Sequence, residues 1–294
     1  MNVFLQQLIN GLSIGSIYAL MAVGYSLVYS ILNFSNFAHG SVIMLGAYFG
    51  FFTTTLIVPN PVLAFIVSSL GCGLVAVVLE RFAYRPLRLR SAPSLYFIIA
   101  AMGASIFIEN LVVATIGPNF KTYPSIFKNP SIALNGGKLM ISKIDILMFS
   151  IAAVSLLILV FILEKTKIGL GIRGASYSSK GATLMGVNVD RVIFTIFLLG
   201  GILAGLAGTL YGMRYKVYPQ MGVITNKSFV AAVFGGLGSL PGAVIGSILL
   251  GLIETFGSSY IASQYRDLIA YVLLVVVLVV KPSGLMGKMT EDKA

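Results

Sequence analysis

Apolar residues in this chain come in long unbroken runs rather than in the alternating or one-faced patterns of a water-soluble fold. From Met1 to Leu79 no residue is formally charged. A helix needs about 20 mainly apolar residues to cross roughly 30 Å of hydrocarbon, so this opening stretch predicts three membrane spans. Over the whole sequence the apolar runs fall at 8–32, 37–58, 62–79, 94–116, 144–163, 192–211, 229–256 and 260–280, with Pro, Gly and charged residues between them. They predict eight membrane segments, an all-α polytopic helix bundle and a single transmembrane domain over 1–294.

The seventh run differs from the rest, because Gly235-Gly236-Leu237-Gly238-Ser239-Leu240-Pro241-Gly242 stands in its middle. Glycine weakens a helix and Pro241 has no N–H to donate. The pattern predicts two half-helices forming a re-entrant hairpin. Broken backbone is tolerated at membrane depth only where protein or a wet cavity surrounds it, so the break is expected in the interior of the assembly.

Charge sets the orientation. Arg81, Arg85, Arg88 and Arg90 share one loop, and Lys165, Lys167, Arg173, Lys180 and Arg191 share another, which assigns both loops to the cytoplasm and the N-terminus to the outside. A re-entrant seventh run puts Lys281, Lys288 and Lys293 inside as well, giving twelve basic residues inside against eight outside. A spanning one reverses the balance to nine against eleven, which the positive-inside bias disfavours. The last helix is short, with Leu268–Val280 covering only about 20 Å, so Arg266 and Asp267 are expected to snorkel or to pair at the interface.

Composition narrows the function. Hydrophobic residues make up 57% of the chain and charged residues 10%, far below the soluble average of about 25% charged. The net charge of +11 lies in short segments between apolar runs, where topology and anionic lipid account for it and nucleic acid does not. With one cysteine, Cys72, no disulfide can form within the chain, and with one histidine, His39, there is no His-rich metal centre. No G-x-x-x-x-G-K-[ST] loop occurs and no Lys follows Gly235–Gly242, so the chain is not an ATPase by itself. The nine acidic residues show no hydrolase-like pairing and no Ser sits in a G-x-S-x-G frame, so neither catalytic residues, a cofactor nor a metal are expected. The N-terminus lacks a basic n-region, and Leu8 onward reads as mature helix.

Four features carry candidate chemistry. In the loop Glu164–Arg191, the apolar residues Ile172, Ala175, Ala182, Leu184, Met185 and Val187 predict a short amphipathic helix on the membrane surface, serving as a connector or as a docking helix for a partner's groove. Tyr18, Tyr25 and Tyr29 fall on one face of the first helix, as a polar stripe along a path or as ordinary interhelical hydrogen bonding. Glu109, beside Asn110, is an intramembrane carboxylate, hence a functional candidate, with a paired helix-end acid as the alternative. Small residues at helical spacing, such as Gly201-x3-Gly205 and Gly208-x3-Gly212, allow close helix packing.

At several places the residues become specific. Gly11-Leu12-Ser13-Ile14-Gly15-Ser16-Ile17-Tyr18-Ala19-Leu20-Met21-Ala22-Val23-Gly24, leading through Asn33-Phe34-Ser35-Asn36-Phe37-Ala38-His39-Gly40 to Leu45-Gly46-Ala47-Tyr48, resembles the opening of branched-chain amino acid ABC permeases. Gly169-x-Gly171-Ile172-Arg173-Gly174-Ala175, Ala182-x2-Met185-Gly186-Val187-Asn188-Val189-x-Arg191, Leu203-Ala204-Gly205-Leu206-Ala207-Gly208 and Phe234–Ala243 resemble the same family's cytoplasmic loop, following helix and Gly-rich break. Length and start resemble the shorter, Liv-type H, of the family's two permeases.

This resemblance implies a multi-pass permease subunit in a bacterial or archaeal cytoplasmic (inner) membrane, moving Leu, Ile and Val by alternating access. Its implied partners are a second, homologous permease forming a heterodimer with this chain, two cytoplasmic ABC ATPases, an extracytoplasmic solute-binding protein and membrane lipid. By matching position, an ATPase-coupling loop would include Arg173, Ala175, Ala182, Gly186, Asn188 and Arg191. The translocation path would include Gly235, Gly236, Gly238 and Pro241, with Tyr18, Tyr25 and Glu109 as further candidates. The binding protein would dock on outer segments whose positive charge comes from Lys121, Lys128, Lys138, Lys143, Arg214, Lys216 and Lys227. Urea, short amides or another small solute are alternative cargoes, and an ion-coupled secondary transporter or a non-transport scaffold are alternative classes.

Overall fold

The first helix, α1 (Asn2–Leu32), is the axis of the molecule, and residues 13–28 are buried without interruption. The computed structural model describes residues 2–124, 131–134 and 139–287. The axis is surrounded by α11 (Leu240–Tyr260), α9 (Val189–Arg214), α6 (Lys143–Lys165) and α10 (Thr225–Gly235). Glycine permits the closest crossing: a β-carbon on Gly15 would stand 2.9 Å from the Ile248 Cα, and Gly251 packs on the backbone of Gly15 in return. Without a hydrophobic drive between helices in lipid, such backbone approach supplies much of the packing energy.

Next to this pair, α2 (His39–Phe52, continuing as a π turn to Ile57) and α3 (Pro61–Leu79, continuing as a π turn through Glu80–Tyr84) pack on α9. Asn60 caps α3 by accepting the Val62 N–H at 2.9 Å, with Pro61 opening the helix. The short α4 (Arg85–Leu89) and the peripheral α5 (Ser94–Ile116) follow. A hairpin of β1 (Ser131–Leu134) and β2 (Leu139–Ser142), antiparallel with Ser131 opposite Ser142, leads into α6. Gln6 extends its edge, donating to the Met140 carbonyl at 2.8 Å and accepting the Met140 N–H at 3.1 Å. α6 is followed by α7 (Lys167–Tyr177) and α8 (Ser179–Leu184), and α12 (Arg266–Val280) closes the bundle.

Eight helical segments among the described residues are long and apolar enough to cross a membrane: Val3–Leu32, His39–Ile57, Pro61–Leu89, Ser94–Ile116, Lys143–Lys165, Val189–Arg214, Leu240–Tyr260 and Ser263–Val280. The all-α polytopic expectation therefore holds. The interior of the seventh run is corrected, since its two arms are unequal. α10 has 11 residues, about 16 Å, whereas α11 has 21, about 31 Å and enough to cross. The short arm is completed by the irregular segment 215–218 and a 3₁₀ turn at Pro219–Ile224, which packs on α2. The arms run antiparallel, so both outer ends lie on the same side, as a re-entrant hairpin requires, and α12 then returns toward the other side.

Beyond α12 the chain folds back under α10. The Leu285 N–H donates to the Phe234 carbonyl at 3.0 Å and the Met286 N–H to the Gly235 carbonyl at 2.9 Å. These bonds satisfy two carbonyls that a helix end leaves orphaned. Lys281 is in this strap, its ammonium on the Leu285 carbonyl at 2.9 Å; Lys288 and Lys293 lie outside the described residues.

Candidate functional site

The Gly-rich break is a tight knot of backbone. A β-carbon on Gly235 would overlap the Gly242 carbonyl, and one on Gly236 would overlap the strap at Gly287. Gly236 and Gly238 also have φ of +109° and +81°, open to glycine and costly for other residues. Ser239 restarts the helix by accepting the Gly242 N–H at 3.3 Å, and Pro241 sits in the first turn, where its missing N–H costs nothing. The Gly238 N–H donates to Ser26 Oγ at 3.1 Å, which fastens the break to α1. Gly235 and Gly236 are buried, Gly238 is half-buried and Pro241 is exposed.

Tyr18 and Tyr25 are both buried on α1 and face different neighbours. The Tyr25 ring meets His39 edge-on at 6.3 Å and Phe229 of α10 at 5.8 Å, and His39 Nε2 reaches the Met21 carbonyl at 3.2 Å. Tyr18 instead faces Glu254 of α11 and Arg266. The structure thus puts Tyr25 next to Ser26, which holds the break, and Tyr18 about two turns away on the same helix beside Glu254. It does not bring Glu109 there: Glu109 is half-buried on α5, whose packing is against α2 and the turns at Glu80–Tyr84 and Pro219–Ile224. Asn110 beside it donates to the Ile106 carbonyl within the same helix at 2.8 Å.

The buried intramembrane acid that sequence reading passed over is Glu254, fully buried in α11. Lys227 and Arg266 both bind its carboxylate, Arg266 Nε at 2.5 Å, and Lys227 also binds Asp267 at 2.7 Å. Of the two expected outcomes, snorkelling or pairing, both residues pair, Arg266 with Glu254 and Asp267 with Lys227. Nearby, Arg214 at the end of α9 binds the buried Asp145 of α6 at 2.8 Å. A signal was available, since Glu254 stands in an apolar run as plainly as Glu109 does.

These pairs change the expected outer positive surface. Arg214 and Lys227 are paired with buried carboxylates, so they add little net positive charge to that surface. Lys216 lies over the Phe120 ring at 5.7 Å, and the Lys121 backbone pairs with Val217; Lys128 and Lys138 lie outside the described residues. Behind that strip Tyr123 donates to the Ala47 carbonyl at 2.7 Å, and burial pushes its phenol well above the ordinary range.

At the opposite, basic end, the segment 164–191 forms two short helices in place of the single one expected. Ser178 is extended and caps α8 through the Gly181 N–H at 3.1 Å, just as Thr166 caps α7 through Gly169 at 3.1 Å. A seryl cap in mid-segment resets the helical phase, so the apolar residues divide. Ile172, Ala175 and Ala182 are buried toward the bundle, whereas Tyr177, Leu184 and Met185 stand 95%, 87% and 86% exposed. Arg173 turns back onto the Leu163 carbonyl at the end of α6. Gly186 takes φ +82° in the exposed turn after α8. Asn188 caps α9 through the Arg191 N–H at 3.0 Å, and the Arg191 side chain is exposed. Asp190 joins this segment to the other basic loop, binding Arg88 at 2.7 Å and Arg85 at 3.5 Å, and Arg88 also holds the buried Glu80 at 2.9 Å.

The fold is thus a multi-pass bundle with a broken helix packed in its interior and an apolar-tipped basic loop at one end. The sequence comparisons give its family. Residues 7–278 match the model of the branched-chain amino acid transport system / permease component family, and the chain belongs to that family. It is 37% identical to the high-affinity branched-chain amino acid transport system permease protein BraD of Pseudomonas aeruginosa, over 99% of this chain and 98% of that one. It is 35% identical to the corresponding LivH of Escherichia coli, over 99% and 97%, and 28% identical to a probable LivH of Methanocaldococcus jannaschii, over 92% and 89%. No solved structure matches.

Proposed function

We propose that this chain is one of two membrane subunits of an ATP-driven, binding-protein-dependent importer of Leu, Ile and Val in the cytoplasmic membrane. End-to-end similarity to branched-chain amino acid permeases carries this reading. Within it the segment 164–191 is the coupling loop. Ile172, Ala175 and Ala182 seat it on the bundle, Arg173 ties it to α6, Gly186 and Asn188 shape the turn into α9, and Arg191 with Tyr177, Leu184 and Met185 meets a cytoplasmic ATPase. Exposed apolar side chains on a short helix are what a partner's groove accepts. ATP-driven approach of the two ATPases would pull this loop and, through Asp190 and Arg88, the other basic loop with it.

The translocation path would open at the break, where Gly238 is half-buried and Pro241 exposed beside the buried Gly235 and Gly236, with the second permease opposite; Tyr18 and Tyr25, enclosed within this chain's own bundle, would join it only when α1 shifts. An ion-coupled carrier is less well supported, because the buried acids Glu254, Asp145 and Glu80 are each already held by Arg or Lys. Uptake of labelled leucine, in a strain lacking other leucine systems, tests the reading. Loss of uptake without this chain, with isoleucine and valine competing and urea not, supports it. Unchanged leucine uptake would move the cargo to urea, an amide or another small solute.

A further inference from the structure

The end of the bundle opposite the basic loops contains an open cavity of about 200 Å³, between the first turns of α1, the ends of α9 and α11, and the start of α12. Its wall is polar: Gln7 and Asn10 from α1, Ser258 and Ser259 from α11, and the guanidinium-bearing Arg214 and Arg266. Ile14 is its one apolar side chain. The volume fits a small solute rather than a drug-sized ligand.

The charges around this cavity balance. Arg214 pairs with Asp145, and Lys227 and Arg266 pair with Glu254 and Asp267, in two neighbouring sets that together form a neutral lattice. A neutral lattice offers little net attraction to an anion or a cation, yet both signs are within reach. Each guanidinium carries five donors, more than its carboxylate partner uses, and these are aimed by that partner. The seryl hydroxyls and the side-chain carbonyls of Gln7 and Asn10 are acceptors suited to an ammonium, which has three donors and no acceptor. Ile14 by itself is too little apolar wall to hold a branched side chain.

We propose that this cavity is a transit site for the head group of a free α-amino acid, reading carboxylate and ammonium together and leaving the side chain unread. The site rests on the importer reading above and adds where a delivered solute first meets this chain. From there Tyr18 lies eight residues beyond Asn10 on the same helix, about 12 Å inward, beside the Glu254–Arg266 pair.

The test uses the assembled importer in proteoliposomes with its binding protein. Uptake that does not depend on this chain at all would overturn the importer reading. With uptake established, Ser258→Phe, which fills the cavity, and Asn10→Leu, which removes its amide, are expected to lower leucine transport about 10-fold or more while ATP hydrolysis stimulated by loaded binding protein stays within about twofold. Equal transport in wild type and both variants would overturn the site. Because a bulky variant can misfold, the wild-type complex without binding protein supplies a second measurement. Labelled leucine bound there should be displaced by alanine as well as by valine, and about 10-fold or more weakly by leucinamide or 4-methylpentanoate, which each lack one charge. Displacement by either analogue as strong as that by alanine, or none by alanine, would overturn the proposal.

Discussion

Two ionic clusters, one at each end of the bundle, use the same residue types under different solvation. At the end away from the basic loops, Glu254 is fully buried and holds Lys227 and Arg266 across α10, α11 and α12. At the basic end, Asp190 holds Arg85 and Arg88 with its own side chain 52% exposed, and only Glu80 behind it is buried. The first cluster joins three helices through one fully buried carboxylate. The second is a surface linkage anchored at one buried point. An ion pair's worth is set by what would solvate its members if it broke, so equal distances mean unequal consequences.

The largest effect is expected from Glu254→Leu, which leaves Lys227 and Arg266 without their shared partner and should cost about 3–5 kcal/mol, read as loss of folded chain in detergent thermal-stability assays. Adding Lys227→Met and Arg266→Met to that change should restore more than half of the loss, because an apolar trio removes the stranded charges; no restoration would mean the cluster acts through more than charge. Glu80→Gln should be intermediate, at about 1.5 kcal/mol, since Arg88 keeps Asp190. Asp190→Asn should shift stability by about 0.5 kcal/mol or less, while lowering transport per ATP hydrolysed if the two basic loops move as one. The smallest effect separates the clusters most cleanly. Raising salt to about 1 M, where screening reaches roughly 3 Å, should erase the Asp190→Asn difference and leave that of Glu254→Leu intact.

What the sequence made legible follows from membrane physics. Uncharged runs mark spans because lipid excludes charge, and Gly235–Gly242 marks a break because glycine and proline are poor helix formers. What stayed hidden has a matching cause. In a membrane both the lipid face and the protein face of a helix are apolar, so nothing in the local pattern separated α1, buried throughout residues 13–28, from α12, where Ala270 is buried among mostly exposed neighbours. For the same reason Glu109 on a peripheral helix and Glu254 on a central one look alike in one dimension. The length of α10 was hidden because Thr225-Asn226-Lys227-Ser228 reads as loop until Glu254 and Asp267 are seen to take the lysine. The division at Ser178 was missed because a single cap residue is enough to change which side chains face out. The candidate coupling residues share one segment already in the sequence, but its exposed tip, Tyr177, Leu184 and Met185, is a property of the fold.

The strap beneath α10 has a consequence for how the chain is made. The carbonyls of Phe234 and Gly235 are completed by the N–H groups of Leu285 and Met286, which leave the ribosome only after α11 and α12 have followed. Until then the broken helix ends in open acceptors beside two glycines with no side chains to cover them. The break is therefore among the last parts of the molecule to be sealed, and the residues that seal it act as a clasp on a hairpin already inserted. A chain stopped at Pro282 would carry every span and lack this fastening.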